Sequence, residues 1–330
     1  MKLIQMFTPS RLAIAALSIA AVIPVVAHAD GLASARLEIT NFQFAYNTSQ
    51  VTVAVPPSLG NTSAATFANV VATPTLSFGQ SVSRVGPQSA LFNQNAQIVS
   101  MAMNGNYAGG FANQTGSGLA GGGGATALTA ATVSLNPAGN PFNSSSGSNT
   151  VTQQFDVFVP GVPGAPPGLS NVGLTFNADL FLRSYLNASP GVFLGGSSTA
   201  FTNWRLEVFR IATASSGGVT SRIAEWTPSA TGAAFTVACN AAFITSCTQS
   251  AAFDLGQSVN AFSSIEDNRV DTGLGAFSFN ANLLSGQQYR FGVTHISNAN
   301  ADLRIPEPSS LALIGLALVG AAFASRRRNA

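Results

Sequence analysis

Hydrophobic and polar residues alternate along much of the chain, with every second residue apolar. This period of two is typical of β-strands that bury one face, and helical periodicity is scarce. Phe occurs 23 times, mostly inside these runs, where its large area suits the space between two sheets. We therefore predict an all-β protein, an antiparallel β-sandwich. The clearest runs are ARLEIT at 35–40, VTVAV at 51–55, VTQQFDVFV at 151–159, LTFNADLFLRSYL at 174–186 and WRLEVFRI at 204–211.

Alternation also assigns residues to faces, because successive side chains of a strand point to opposite sides. The residues predicted to face the interior are Ala35, Leu37, Ile39, Val151, Phe155, Val157, Val159, Leu174, Phe176, Ala178, Leu180, Leu182, Trp204, Leu206 and Val208.

The segment FSFNANLLSGQQYRFGV, at 277–293, gives a more specific indication of the fold. Two alternating stretches meet at Gly286, with Leu284 before it and Tyr289 after it. This spacing resembles the tyrosine corner of Greek-key sandwiches, in which a Tyr hydroxyl bonds back to the chain at the sandwich edge. An ordinary hairpin with a buried Tyr is the alternative. We predict a Greek-key-like sandwich with long loops rich in Gly, Ser and Asn.

Segments rich in Gly and Pro separate the predicted strands. PGVPGAPPG at 160–168 is predicted to be a long rigid loop, with an interdomain linker as the alternative. GLAGGGGA at 118–125 and NPAGNPFNSSSGSN at 136–149 are of low complexity and are predicted to be mobile loops. The chain has no fixed repeat period, which argues against a β-solenoid.

The C-terminal segment IPEPSSLALIGLALVGAAFASRRRNA, 305–330, has three zones. Pro306, Glu307 and Pro308 come first, an apolar run occupies 311–324, and Arg326, Arg327 and Arg328 follow. A buried core helix would need a polar face, which the run lacks. Lipid accepts a helix that is apolar all round, and the arginines would stay on the cytoplasmic side. As a helix the run spans about 21 Å, less than the hydrocarbon core of about 30 Å.

This order of triplet, apolar run and arginine cluster resembles the PEP-CTERM sorting signal of exported bacterial proteins. Ile305 stands where Val is usual in that signal. The resemblance covers only the tail, and it implies processing by exosortase and transient membrane insertion, with the arginines as the membrane stop. It also implies association with exopolysaccharide and biofilm. A few ice-binding proteins carry the same tail.

The N-terminus carries the export signal that such a tail requires. Lys2 and Arg11 provide positive charge, 12–26 is apolar, and Ala27-His28-Ala29 forms an A-x-A site. We predict cleavage between Ala29 and Asp30, with an uncleaved membrane anchor as the alternative. The predicted organisation is a signal peptide at 1–29, a sandwich body at 30–304 and the sorting signal at 305–330.

The charge of the body differs from that of the whole chain. Residues 30–304 contain nine Arg and eleven acidic residues, a net charge of −2, while the whole chain carries +2. Lys2 is the one lysine. Basic residues do not cluster in the body, which argues against nucleic-acid binding. Its many amides and hydroxyls suit an extracellular surface and can bond to sugar hydroxyls, but an ordinary neutral secreted protein would have the same composition.

Cys239 and Cys247 are the two cysteines. In an exported protein such a pair is predicted to form a disulfide, with free thiols or a redox pair as the alternatives. The spacing is not C-x-x-C and His is not near, so the pair does not resemble a zinc site.

Signals of catalysis or cofactor binding are weak. His295 is the one histidine of the body, and it is predicted to face solvent from a strand. GSGLAG at 116–121 lacks the strand, helix and acidic residue of a dinucleotide site. We predict no catalytic residue, no metal site and no cofactor.

Acidic residues provide two alternatives. A glycosidase needs two carboxylates across a cleft, for which Glu207, Glu225, Glu266 and Asp267 are candidates. IEDNRVDTG at 265–273 could offer Ca²⁺ the oxygens of Glu266, Asp267, Asn268 and Asp271, but a solvated turn fits its spacing better.

We therefore predict a non-enzymatic, exported protein of the cell surface or extracellular matrix. Its predicted role is structural or adhesive, its partners are exosortase and exopolysaccharide, and its precursor is membrane-bound. A carbohydrate-active enzyme with two carboxylates is the first alternative. An ice- or surface-binding protein is the second, although only Thr150 and Thr152 indicate the flat Thr ladder that it needs.

Overall fold

A computed structural model describes residues 29–54, 62–73, 76–85, 94–103, 106–117, 124–135, 142–161, 168–188, 195–211, 220–230, 238–262, 265–304 and 315–319. These residues form almost entirely antiparallel β-structure, as the alternation predicts. The strands are β1 Ala29–Tyr46, β2 Thr52–Ala54, β3 Thr62–Thr73, β4 Leu76–Val85, β5 Gln94–Met103, β6 Asn106–Ser117, β7 Gly124–Leu135, β8 Phe142–Val159, β9 Leu169–Ala188, β10 Gly195–Ile211, β11 Thr220–Trp226, β12 Ile244–Ala251, β13 Gln257–Ala261, β14 Ile265–Leu284 and β15 Gln287–Arg304.

The strands form two sheets that pack face to face. Sheet A has the order β12-β14-β9-β1-β7-β6-β5. Sheet B has the order β11-β10-β15-β8-β3-β4, with β13 also paired to β10 and β2 to β8. Strands β1, β7 and β9 of sheet A contact β8, β10 and β15 of sheet B. The arrangement is a β-sandwich in which neighbours in sequence are often not neighbours in a sheet.

The interior holds the residues that alternation assigned to it, and all fifteen predicted inward residues are buried. Aromatic rings fill much of the space between the sheets. Phe44 of sheet A lies 5.1 Å from Phe291 of sheet B, and Phe176 lies 4.5 Å from Trp204, between ring centroids. One contiguous buried cluster therefore joins both sheets.

The predicted loop 160–168 connects β8 of sheet B to β9 of sheet A. Both of its described ends are held by the β14–β15 connection, where the Gly286 N–H donates to the Val159 carbonyl at 2.6 Å and the Ser285 N–H to the Gly168 carbonyl at 2.9 Å. Gly286 has φ +78°, a conformation that favours glycine. Strands on both sides of the loop contribute to the same buried cluster.

The prediction of a loop over 136–149 is wrong for its second half. Residues 142–149 begin β8, where Ser144 to Ser148 pair with β15 on one side and β3 on the other. Ser and Gly have weak strand preference, but pairing on both sides satisfies the backbone here. In the other predicted loop, residues 124–125 belong to β7.

The predicted flanking helices lie largely outside the described residues, which exclude 1–28 of the signal segment. In the tail, residues 315–319 are helical. Within the described part of the chain we find no helix with the length and apolar character needed to cross a membrane.

The two ends of the body meet at one end of the sandwich. Ala29 at the start of β1 pairs with Ala188, and Arg304 at the end of β15 pairs with Gly195. We call this end the terminal pole, and the opposite end, with the Ser285–Gly286 connection, the corner pole. The eighteen residues of β15 run the length of the sandwich, about 60 Å at 3.4 Å per residue.

Candidate functional site

The sorting triplet, Pro306, Glu307 and Pro308, and the arginines at 326–328 lie outside the described residues. Of the predicted cleavage site, Ala29 and Asp30 are the first two residues of β1. Cleavage between them would leave the rest of β1 paired, but the cleavage itself stays a prediction.

Cys239 and Cys247 form a disulfide, as predicted for an exported pair, with their Cα atoms 6.3 Å apart. Both side chains are partly buried against the core. The loop between them turns at Asn240, whose backbone carbonyl accepts bonds from the N–H groups of Phe243 and Ile244, each at 2.9 Å. The disulfide thus closes a short, ordered loop that leads into β12.

The tyrosine corner is present. The Tyr289 hydroxyl accepts a bond from the Leu284 N–H at 3.1 Å and lies 3.2 Å from the Leu284 carbonyl. Leu284 ends β14 in sheet A, whereas Tyr289 lies in β15 of sheet B. The hairpin alternative is therefore wrong, because the two strands do not pair with each other. Burial raises the pKa of Tyr289 to about 12.

His295 does not face solvent as predicted but is buried between the sheets, with 1% of its surface exposed. Its Nε2 lies 3.0 Å from Thr129 Oγ1, which in turn lies 2.6 Å from Ser297 Oγ. The nearby backbone of Leu37 favours the protonated ring and so acts to raise its pKa. Nδ1, however, makes no hydrogen bond of good geometry with the described residues. Burial dominates and lowers the pKa of His295 to about 3. The ring is neutral, enclosed and inaccessible to a substrate.

Two of the four candidate carboxylates come together in sheet B. Glu207 of β10 and Glu225 of β11 are directly opposite each other. The Arg222 guanidinium bonds to both, reaching Glu207 Oε1 at 3.1 Å, and Arg205 lies 3.5 Å from Glu207. The Arg222 side chain therefore bridges the two carboxylates.

The prediction of a solvated turn at 265–273 is wrong, because this acidic cluster is part of strand β14. Alternation sends Glu266 and Asn268 to one face and Asp267 and Asp271 to the other. Asp267 accepts two bonds from Arg183, at 3.0 and 2.9 Å, and this guanidinium lowers the pKa of Asp267. Within the described ranges no three His, Cys, Asp or Glu residues are grouped to hold a metal ion.

The outer face of sheet A carries a shallow groove of about 340 Å³. Its lining residues come from four adjacent strands, β1, β9, β12 and β14, in register across the sheet. Six of them are uncharged polar groups, and three are apolar. The lining residues are Asn41, Gln43, Thr175, Phe176, Asn177, Ser250, Ala276, Phe277 and Ser278.

A β-bulge in β1 shapes this groove. The pairing of β1 with β9 shifts register between Thr40 and Gln43, and Asn41 within the bulge has φ +53°. A bulge bends its strand and redirects the side chain at that position. Opposite the bulge, Gly124 of β7 lies so close to Asn41 that a Cβ there would be 3.3 Å from the Asn41 Cα. The close approach of these two backbones favours glycine at 124.

The groove is lined by uncharged residues. None of the six polar side chains hydrogen-bonds to a described residue, whereas beyond the groove Asn171 donates to Asn282 at 3.0 Å. Charged residues lie beyond the opposite edge of the groove, where Arg36 pairs with Asp179 at 3.0 Å. The six groups are therefore available to a ligand that bonds through hydroxyls.

The sequence reasoning missed this groove, although a signal for the bulge was available. In β1 the buried residues have odd numbers up to Ile39 and even numbers from Phe42 onwards. Ile39 and Phe42 are therefore three residues apart, where regular alternation would give two. Such a change of parity predicts one extra residue in the strand. The partners of the bulge on β9, β12 and β14 could not be found in this way.

The family model of the PEP-CTERM protein-sorting motif matches residues 304–328. No curated protein and no solved structure matches the chain. The match confirms the resemblance drawn from the triplet and the arginine cluster of the tail. The motif implies an exported protein that exosortase processes and attaches at the cell surface.

Proposed function

We propose that this exported, exosortase-processed protein is a non-enzymatic component of the cell surface or extracellular matrix, which binds neutral exopolysaccharide in the groove of sheet A. The groove carries this proposal. Its amides and hydroxyls can donate to and accept from sugar hydroxyls, and the groove itself has no charged residue. An adhesive or structural role in a biofilm follows if the ligand is a matrix polymer.

The volume of the groove, about 340 Å³, falls within the range of small-molecule pockets, which starts at about 300 Å³, and suits roughly one or two sugar rings. Weak contacts of this kind reach useful affinity when a polymer presents many repeats to many protein copies. The absence of charge from the nine lining residues favours a neutral polymer over a uronic-acid polymer.

We favour a binding protein over an enzyme because of Arg222. A glycosidase leaves about 5–10 Å of open space between its carboxylates, and Arg222 bridges Glu207 and Glu225 instead. The ice-binding alternative is also less favoured, because the Thr pattern of sheet B is interrupted. Thr150 lies beside Ile296, and Ile296 lies beside Asn203.

We propose that the tail is a temporary sorting signal and not a permanent membrane anchor. The apolar run would hold the precursor in the membrane, Arg326 to Arg328 would stop translocation, and the two prolines would keep Glu307 extended for exosortase. Replacing Pro306, Glu307 and Pro308 with Ala should leave a full-length precursor in the membrane. Normal processing of this variant, or wild-type extracellular protein that retains the arginines, would contradict the proposal.

A glycan array probed with the exported protein tests the binding site. We expect neutral glycans to bind and the double variant Gln43→Ala with Asn177→Ala to lose binding at least tenfold. Asn171→Ala is the matched control, because this exposed amide lies on the same face outside the groove. Release of new reducing ends from a bound glycan would instead favour the enzyme, and equal loss in the control would contradict the site.

A further inference from the structure

The two ends of the body leave the sandwich side by side. A Cβ placed on Gly31, near the start of β1, would lie 3.2 Å from Leu303 Cδ1, near the end of β15. These residues belong to different sheets, so the ends face each other across the sandwich at the terminal pole. The two apolar runs of the chain are therefore connected to the same pole.

Short connections keep these runs close to the body. Six residues, 305–310, separate Arg304 from the run at 311–324, and two separate Ala29 from the run at 12–26. Six extended residues reach at most about 21 Å. A run that enters the bilayer therefore holds the terminal pole within about 20 Å of the membrane surface.

The terminal pole also exposes large apolar side chains. Phe262 is 63% exposed and Ile265 is 67% exposed. Phe262 directly follows Ala261, which pairs with Ser198 near the start of β10, while Ile265 pairs with Asn187, beside the start of β1. Both side chains thus lie at the pole from which the chain ends emerge.

We propose that the terminal pole lies against the lipid bilayer in the precursor, with Phe262 and Ile265 in the interfacial region. The terminal pole is attracted to the bilayer because Phe262 and Ile265 are removed from water there. The tail, connected to the same pole, orients the body by holding this pole close to the membrane. Charge contributes little to this attraction, because the charged groups near this pole are paired: Arg304 lies 3.7 Å from Asp302, and Arg183 lies 2.9 Å from Asp267. This inference rests on the proposed insertion of the tail.

The orientation places the carbohydrate groove outward. Along β9, Thr175 in the groove is thirteen positions from Ala188 at the terminal pole, a rise of about 44 Å at 3.4 Å per residue. The groove would stand well clear of lipid headgroups while the tail is still attached, so that the precursor already presents it to a polymer.

Reconstitution of the full-length precursor into phosphatidylethanolamine–phosphatidylglycerol vesicles with brominated acyl chains tests this orientation. Phe262→Trp introduces a fluorescent reporter at the terminal pole, and Ile265→Trp is a second reporter if the first fails to fold. Leu169→Trp is the matched control, since Leu169 is 53% exposed but lies at the corner pole. Trp204 and Trp226 are buried and give the same background in every variant.

We expect bromolipid to quench the emission of Phe262→Trp beyond that of wild type, with a shift to shorter wavelength, and to leave Leu169→Trp at the wild-type level. Vesicle flotation separates the two proposals. A precursor that floats but shows equal quenching of both reporters overturns the orientation alone. A precursor that does not float overturns both the membrane role of the tail and this inference.

Discussion

The Tyr289 hydroxyl donates to the backbone carbonyl of Phe243 at 2.9 Å. Phe243 lies within the loop that Cys239 and Cys247 close, and its carbonyl also accepts from the Leu284 N–H at 3.3 Å. One hydroxyl thus connects the corner between the sheets to the disulfide loop at the edge of sheet A. The two stabilising devices found in the sequence act on the same part of the corner pole.

Tyr289→Phe should destabilise the fold by about 1–2 kcal/mol, because the Leu284 N–H and the Phe243 carbonyl both lose the hydroxyl and keep only their longer bond to each other, at 3.3 Å. Urea unfolding measures this. Tyr185→Phe is the control, since the described structure gives its hydroxyl no hydrogen bond, and it should change stability by less than about 0.5 kcal/mol. Equal losses would show that the corner bond contributes nothing specific.

Alkaline pH should weaken the same corner. Burial raises the pKa of Tyr289 to about 12 in the folded state, above its ordinary value of 10.0. The contribution of the neutral hydroxyl is therefore complete below pH 10 and is lost as pH rises from 10 through 12. In thermal unfolding across this window, wild type should lose more stability than Tyr289→Phe, and parallel curves would contradict the assignment.

Removing the disulfide through Cys239→Ser with Cys247→Ser should cost about 2–3 kcal/mol, from the chain entropy of a loop this short. Guanidinium unfolding of oxidised and reduced wild type gives the same comparison without mutation. The reduced protein should also lose part of the Tyr289 contribution, because Phe243 then lies in an open loop. Complete alkylation of both thiols in the exported protein without reduction would contradict the disulfide.

His295 should make the body sensitive to mild acid. The folded protein keeps this ring neutral, with a pKa of about 3, whereas the unfolded chain binds a proton near pH 6.5. Stability is then lost as pH falls below 6.5, by about 2 kcal/mol between pH 7 and pH 5. His295→Gln should flatten this part of the pH profile. A variant whose profile matches that of wild type would show that other groups cause the loss.

The ion pair of Asp156 and Arg290 should be the costliest to break. Its guanidinium and carboxylate meet at 2.7 and 3.1 Å and are 18% and 7% exposed. Arg290→Gln leaves the buried carboxylate without its cation and should cost about 3 kcal/mol. Arg269→Gln breaks an exposed pair with Asp271 and should cost less than about 1 kcal/mol. Chemical denaturation that ranks these two variants in the opposite order would refute the argument.

The bulge at Asn41 should control the groove. Asn41→Val places a branched side chain at φ +53° and should cost about 1–2 kcal/mol, whereas Asn41→Gly fits that conformation. Both variants remove the amide and should weaken glycan binding, but only the first should lower the unfolding midpoint. A stable Val variant with unaltered binding would contradict the role of the bulge.

The sequence by itself determined the faces of the strands and the signals at both ends. A face follows from parity along a few residues, so Leu174 to Leu182 could be assigned before any partner was known. The tail is equally local, because its triplet, apolar run and arginines are recognised in order along the chain. His295 shows how such reasoning can fail, since it shares the parity of Phe291 and faces inward, but its polarity suggested solvent.

Only the tertiary structure decided which strands are neighbours. Thr175 and Ser278 line one groove because β9 pairs with β14 across about a hundred residues, and many registers would satisfy the same alternation. Residues 142–149 form a strand for a similar reason, since their partners in β3 and β15 satisfy a backbone that weak local preferences leave undecided. The shared pole of Gly31 and Leu303 likewise depends on how often the chain passes from one pole to the other between β1 and β15, which no local pattern encodes.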